Sequence, residues 1–111
     1  MQSHIFRDLN RIDQVKKLLE TSQNDVFLLY ALAIEYHSMG DVNRAINSLN
    51  DVKQRFPDYL PTYYQLGLIL SENDQDDEAV PILKEGMELA QKTNNHKTFL
   101  EIKSLLEEIT F

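Results

Sequence analysis

The sequence predicts an all-α protein assembled from antiparallel helix pairs, and three observations predict it. The first is an internal period. Sliding the chain against itself by 34 residues, the offset from Ala45 to Ala79, places Tyr30 on Tyr64, Leu32 on Leu66, Ala33 on Gly67, Ile46 on Val80 and Leu49 on Leu83. The second is the spacing of apolar residues, which follows the helical repeat rather than the strand repeat. The third is small residues at Ala33, Gly67, Ala45 and Ala79, where helix backbones can approach closely. A lone helix pair cannot bury its apolar face, so repeats of this length stack, usually about three or more units together. Extra helices are therefore expected at both ends of the two clear repeats, giving about six in all.

Taken in order, residues 1–9 (MQSHIFRDL) leave two readings open: a frayed tail, or the first turns of the first helix. Asn10 reads as an N-cap with Asp13 three residues on, and Ile12, Val15, Leu18 and Leu19 form one apolar stripe of a helix over 10–22. Asn24 reads as the next N-cap, with Asp25 in the first turn opposing the helix dipole, and that helix runs to about Met39. Gly40 sits where the residue past a helix end turns left-handed. Asp41 caps the following helix, which Pro57 ends after Phe56. Pro61 falls in the first turn of the next helix, where its missing N–H costs nothing, and that helix ends near Glu72. Ser71 to Glu78 is a polar turn leading into a helix that starts at Asp76 or Asp77, which puts Pro81 in the first turn, and runs to about Thr93. Asn94 and Asn95 make the last turn. The closing helix, about Lys97 to Thr110, gathers Phe99, Ile102, Leu105, Leu106 and Ile109 on one face.

The residues Leu29, Leu32, Ala33, Tyr36, Gly40, Ala45, Leu49 and Pro57, followed by Tyr63, Leu66, Gly67, Ala79 and Leu83, resemble the tetratricopeptide repeat (TPR) family. The second repeat departs from the family pattern at Leu70 (Tyr expected), Asp74 (Gly), Gly86 (Ala) and Gln91 (Pro). The resemblance implies a right-handed α–α superhelix, a TPR solenoid. The division it implies is a capping helix at 10–22, repeats at 24–57 and 58–93, and a capping helix at 95–111, all within a single domain at 1–111. Function follows only by class, because function resides in sites grafted on folds.

Composition narrows that class. A formal net charge of −7 argues against nucleic-acid binding, which needs a basic stripe, and favours basic or neutral partners. With no cysteine, disulfides and thiolate metal sites are excluded. The apolar run Val26 to Ile34 is far shorter than the roughly 18 residues of a spanning helix, and His4, Arg7, Asp8 and Asn10 interrupt any signal-peptide pattern, so no membrane role and a cytoplasmic setting are expected. His4, His37 and His96 fall on separate elements without ligand-pair spacing. The acidic turn at Asp74, Asp76, Asp77 and Glu78 lacks the central Gly and terminal Glu spacing of a calcium loop. With no nucleophile motif and no phosphate loop, the expectation is no enzyme, no cofactor and no metal.

The resemblance also implies that the first helix of each pair lines a concave surface. The matching positions are Phe27, Tyr30, Ile34 and His37 in the first repeat, and Tyr64, Gln65, Leu68 and Ser71 in the second. In TPR proteins that hold the acidic C-termini of heat-shock chaperones, a Lys and an Asn stand where Tyr30 and Ile34 stand here, so a carboxylate clamp is not expected. What is left is an apolar, aromatic groove suited to a helix or extended peptide of a partner protein. Two alternatives stay open: a homodimer with the groove or end helices at its interface, and an internal core covered by the chain's own N-terminal segment through Ile5 and Phe6.

Overall fold

The computed structural model describes residues 4–110, with side chains described from Asn10 onward. Among the described residues the chain forms six α-helices: α1 (His4–Thr21), α2 (Val26–Ser38), α3 (Val42–Arg55), α4 (Pro61–Glu72), α5 (Asp76–Lys92) and α6 (His96–Ile109). They fall into two compact units divided between Phe56 and Pro57. In the first, α2 packs against both α1 and α3. In the second, α5 packs against both α4 and α6, and α4 also meets α6.

One corner recurs where helices reverse. After α2, the N–H of Asp41 donates to the Tyr36 carbonyl at 2.9 Å and that of Gly40 to the His37 carbonyl at 3.0 Å. After α4, Gln75 donates to Leu70 at 2.9 Å and Asp74 to Ser71 at 3.2 Å; after α5, Asn95 donates to Ala90 at 2.8 Å and Asn94 to Gln91 at 3.2 Å. This paired pattern satisfies the helix's last carbonyls and requires a left-handed residue at its hinge. Gly40 (φ 82°), Asp74 (φ 61°) and Asn94 (φ 59°) supply it. Asp74 thus takes the place of the glycine expected there, because Asp and Asn tolerate this region better than other residues with a Cβ.

After two of these three corners the next helix is capped by a side chain. The side chains of Asp41 and Asn95 accept from the N–H groups of Arg44 and Thr98, starting α3 and α6. For α2 the cap is Asp25, accepting from Leu28, rather than Asn24. The Asn24 side-chain oxygen instead accepts from Arg55 Nη2 at 2.7 Å, tying the α1–α2 turn to the end of α3.

Three further expectations are corrected. Helix α1 begins at His4, so Asn10 lies inside it and caps nothing, and residues 4–9 are its first turns. The side chains of Ile5 and Phe6, and so any covering of the groove by them, lie outside the described residues. Leu18 is 55% exposed and leaves the stripe on which Ile12 is buried. Pro81 lies in the second turn of α5: the helix starts at Asp76, and Ala79 already makes the first full-turn bond to the Gln75 carbonyl, so proline removes a donor aimed at the Asp77 carbonyl. Pro61, by contrast, opens α4 at its first turn as expected.

The small residues of the repeat mark close contacts. Ala33, Ala45, Ala79 and Ala90 are fully buried. A Cβ on Gly67 would collide with the Leu83 side chain of α5. A Cβ on Gly86 would stand 2.6 Å from the Tyr63 Cβ of α4 and 2.9 Å from Ile102 Cδ1 of α6. Position 86 departs from the family's alanine because three helices meet there.

Two glycine substitutions separate backbone strain from crowding. Gly40→Ala meets nothing within 4 Å, so its cost is the left-handed backbone alone, about 1–2 kcal/mol. Gly86→Ala, although alanine is the better helix former, should still destabilise by about 1–3 kcal/mol because a Cβ cannot yield to a Cβ. Urea unfolding of both variants, with unchanged dependence on denaturant, checks the two values.

Candidate partner-binding surface

Helix α2 reads VFLLYALAIEYHS, apolar on nearly every side, yet only Ala33 on it is buried. A helix that is apolar all round is ordinarily enclosed. Helix α4, of similar composition, buries Thr62, Tyr63, Leu66, Gly67, Ile69 and Leu70. The first unit therefore leaves on α2 apolar surface that its own packing does not cover.

Phe27, Tyr30, Ile34 and His37 follow one another at intervals of three and four, which places them along one stripe of α2. Phe27 is 70% exposed, and Tyr30, Ile34 and His37 are half-buried. Tyr64, Gln65, Leu68 and Ser71 form the corresponding stripe on α4; Tyr64, Gln65, Leu68 and Ser71 are half-buried. The first four are brought together within one unit and the second four within the other. None of the eight belongs to the buried core.

The far side of α2 is pinned by charge. Arg11 of α1 pairs with Glu35, and Tyr36 lies between Lys16 of α1 and Arg44 of α3, which sit 5.7 and 5.8 Å from its ring centre. Cations over an aromatic face add about 0.5–1 kcal/mol each at exposed sites. These contacts hold the helix by its back, well round from the Phe27–His37 stripe, and fix how that stripe is presented.

At the start of α4 the Tyr63 hydroxyl donates to the Pro57 carbonyl at 2.7 Å, anchoring the segment that leads into the helix. Burial, then the carboxylates of Glu85 and Asp58, push this phenol above its ordinary value of 10.0, because each disfavours the phenolate.

Among the described residues no group of histidines and carboxylates is arranged to hold a metal ion, and no helix is long and apolar enough to cross a membrane.

Residues 60–93 match the family model of the tetratricopeptide repeat. Those residues therefore carry a tetratricopeptide repeat (TPR). The structure of the chain is similar to that of a TPR-domain protein from Salinibacter ruber at 29% identity, covering 78% of this chain and 97% of that one with a TM-score of 0.74. It is also similar to the type III secretion translocator chaperone SycD of Yersinia enterocolitica, at 18% identity over 94% of this chain and 80% of that one, TM-score 0.84. A Bordetella parapertussis protein matches at 17% identity over 99% and 90% of the two chains, TM-score 0.79. The last two likenesses speak for the fold alone. No curated protein matches the chain. As a class, TPR proteins generally serve as scaffolds for contact between proteins.

The spacing of the closing helix predicts Phe99 and Leu106 on its core-facing stripe. In the structure both are half-buried and line depressions of the second unit together with Met87 and Gln91 of α5. Nothing in the spacing of α6 separates these two from the buried Ile102 and Leu105. Only the packing of α5 against it does.

The Tyr63 linkage has a definite sign. The folded chain holds the phenol proton more tightly than the unfolded one, so this contribution to stability is intact below 10.0 and is lost as pH rises past it towards the folded value. Tyr63→Phe has no such proton. It should cost about 0.5–1.5 kcal/mol at neutral pH for the lost hydrogen bond. Between about pH 9 and about pH 11 its unfolding midpoint should fall less than that of the unaltered protein.

Proposed function

We propose that this protein is a binding module whose leading helices each offer an apolar stripe to a peptide or helix of a partner protein, Phe27, Tyr30, Ile34 and His37 on α2 and Tyr64, Gln65 and Leu68 on α4. The observation that carries the reading is α2: a helix apolar on nearly all sides with a single buried residue. Covering Phe27 and its neighbours would remove apolar area from water at about 25 cal/mol per Å². The aromatic side chains supply broad contact at low entropic cost, as residues that dominate binding energies usually do. Neither stripe carries Lys or Arg, which favours an apolar recognition element over a terminal carboxylate.

A second reading is a homodimer through the same α2 surface, and the 70% exposure of Phe27 favours it as well, since most self-assemblies bring identical patches together. Light scattering over a range of concentrations separates the two; a monomer throughout removes the dimer.

Affinity capture from native lysate, quantified for the unaltered protein and for Tyr30→Ala and Tyr64→Ala, tests the main reading. Each substitution should cost about 1–2 kcal/mol of binding, a roughly 5- to 30-fold loss of affinity seen as lower partner recovery, with helical content unchanged. Undiminished recovery with both would overturn it.

A further inference from the structure

The net charge of this protein is carried entirely by one half of it. Residues 1–56 contain seven acidic and seven basic side chains, among them all four arginines, whereas residues 57–111 contain eleven acidic side chains and four lysines. The net charge of −7 is therefore that of the second half. On this acidic unit lie two depressions along α5 and α6. One, of about 350 Å³, is lined by Lys84, Met87, Glu88, Gln91, Phe99 and Leu106. The other, of about 300 Å³, is lined by Ala90, Gln91, Asn94, His96 and Phe99. They adjoin at Gln91 and Phe99 and together make the α5–α6 trough, with the His96 ring stacked near Phe99 at 6.4 Å. Leu100, the residue after Phe99, is 48% exposed.

We propose that this α5–α6 trough is a second docking surface and that its occupant is a basic amphipathic segment of a partner protein, with apolar side chains at helical spacing flanked by Lys or Arg. The surface uses none of the α2 and α4 residues proposed for the first site, so the two stand or fall separately. Met87, Phe99 and Leu106 are the apolar floor. Each is half-buried, so a docking segment completes their desolvation rather than starting it. Charge selects the occupant: the excess of seven carboxylates on one unit sets up a field that draws cationic segments in and repels acidic peptides, nucleic acid and anionic membrane. The lining holds one cation, Lys84, beside Glu88. Attraction thus comes from the unit's field rather than from a local carboxylate cage, and Lys84 sets a limit that can be lifted.

The test uses the full chain and a fluorescein-labelled helical peptide of about 18 residues, Leu on one face and Lys on the other, beside two controls: Leu with Glu, and Ser with Lys. The Leu/Lys peptide should bind in about 50 mM salt and weaken as salt rises to about 300 mM. Amide shifts of the unaltered protein should move at Met87, Gln91, Phe99 and Leu106. Met87→Gln with Leu106→Gln should cut affinity by about tenfold or more, Met87→Leu should preserve it, and Lys84→Glu should tighten it. Neutralising the distant acidic turn, Asp74→Asn with Asp76→Asn, should lower affinity by less than about threefold. Four outcomes overturn the proposal: equal binding of the Leu/Glu peptide, equal binding of the Ser/Lys peptide, shift changes confined to α2 or α4, or light scattering that shows a dimer which Met87→Gln with Leu106→Gln returns to monomer. The shift map needs no substitution, so it decides the matter even where a variant fails to fold.

Discussion

A left-handed corner governs this fold. Between α2 and α3, α4 and α5, and α5 and α6 the chain reverses within a few residues through one that accepts a positive φ, Gly40, Asp74 and Asn94, with the same pair of backbone bonds closing each helix end. Once the chain has turned back so tightly, the two helices it joins lie side by side for most of their length. Whatever stands at their contact must then be small. Ala33 and Ala45 fill that role in the first unit, and Gly67, Ala79 and Gly86 in the second. The corners and the small residues are therefore one constraint seen at two places: the first makes close approach compulsory, the second makes it sterically possible.

Much of this is legible in the sequence because it is written in residue types that have few other uses. Gly40 after an apolar helix, Asp41 as the next cap and a 34-residue offset that superposes alanine on alanine all point to helix pairs, and the structure has them. The departures in capping share a cause. Asn10, Asn24 and Asp25 are all residue types that cap helices, and type alone does not say which of them the chain uses. In the structure a long α1 encloses Asn10, and the partnership of Asn24 with Arg55, 31 residues away, leaves the cap to Asp25. Pro81 departs for a different reason: the helix starts at Asp76, one of the two starts expected, but Pro81 is its sixth residue and so falls past a first turn of about 3.6 residues.

For the candidate surfaces, spacing tells which residues share a stripe but not how far each stripe is buried. Tyr36 and Leu70 occupy the same place in the repeat, yet Leu70 is buried while Tyr36 lies half-buried under two cations. Burial depends on what neighbouring helices bring, and that is a property of pairs of distant segments. The α5–α6 trough is invisible in the sequence for this reason: Phe99 and Leu106 look like core until α5 is laid beside them. The charge division is present in the order of residues, but it acquires meaning only when the chain is seen to separate between Phe56 and Pro57.

The sparse burial of α2 has a thermodynamic consequence. A unit whose central helix encloses one residue opens at lower free energy than one whose leading helix encloses six, so the first three helices should exchange their amide protons sooner than the last three. Any molecule that settles on α2 then does more than attach itself. By binding the closed form and not the open one, it raises the melting temperature in proportion to the logarithm of its concentration, and so finishes from outside a core that the chain alone leaves incomplete.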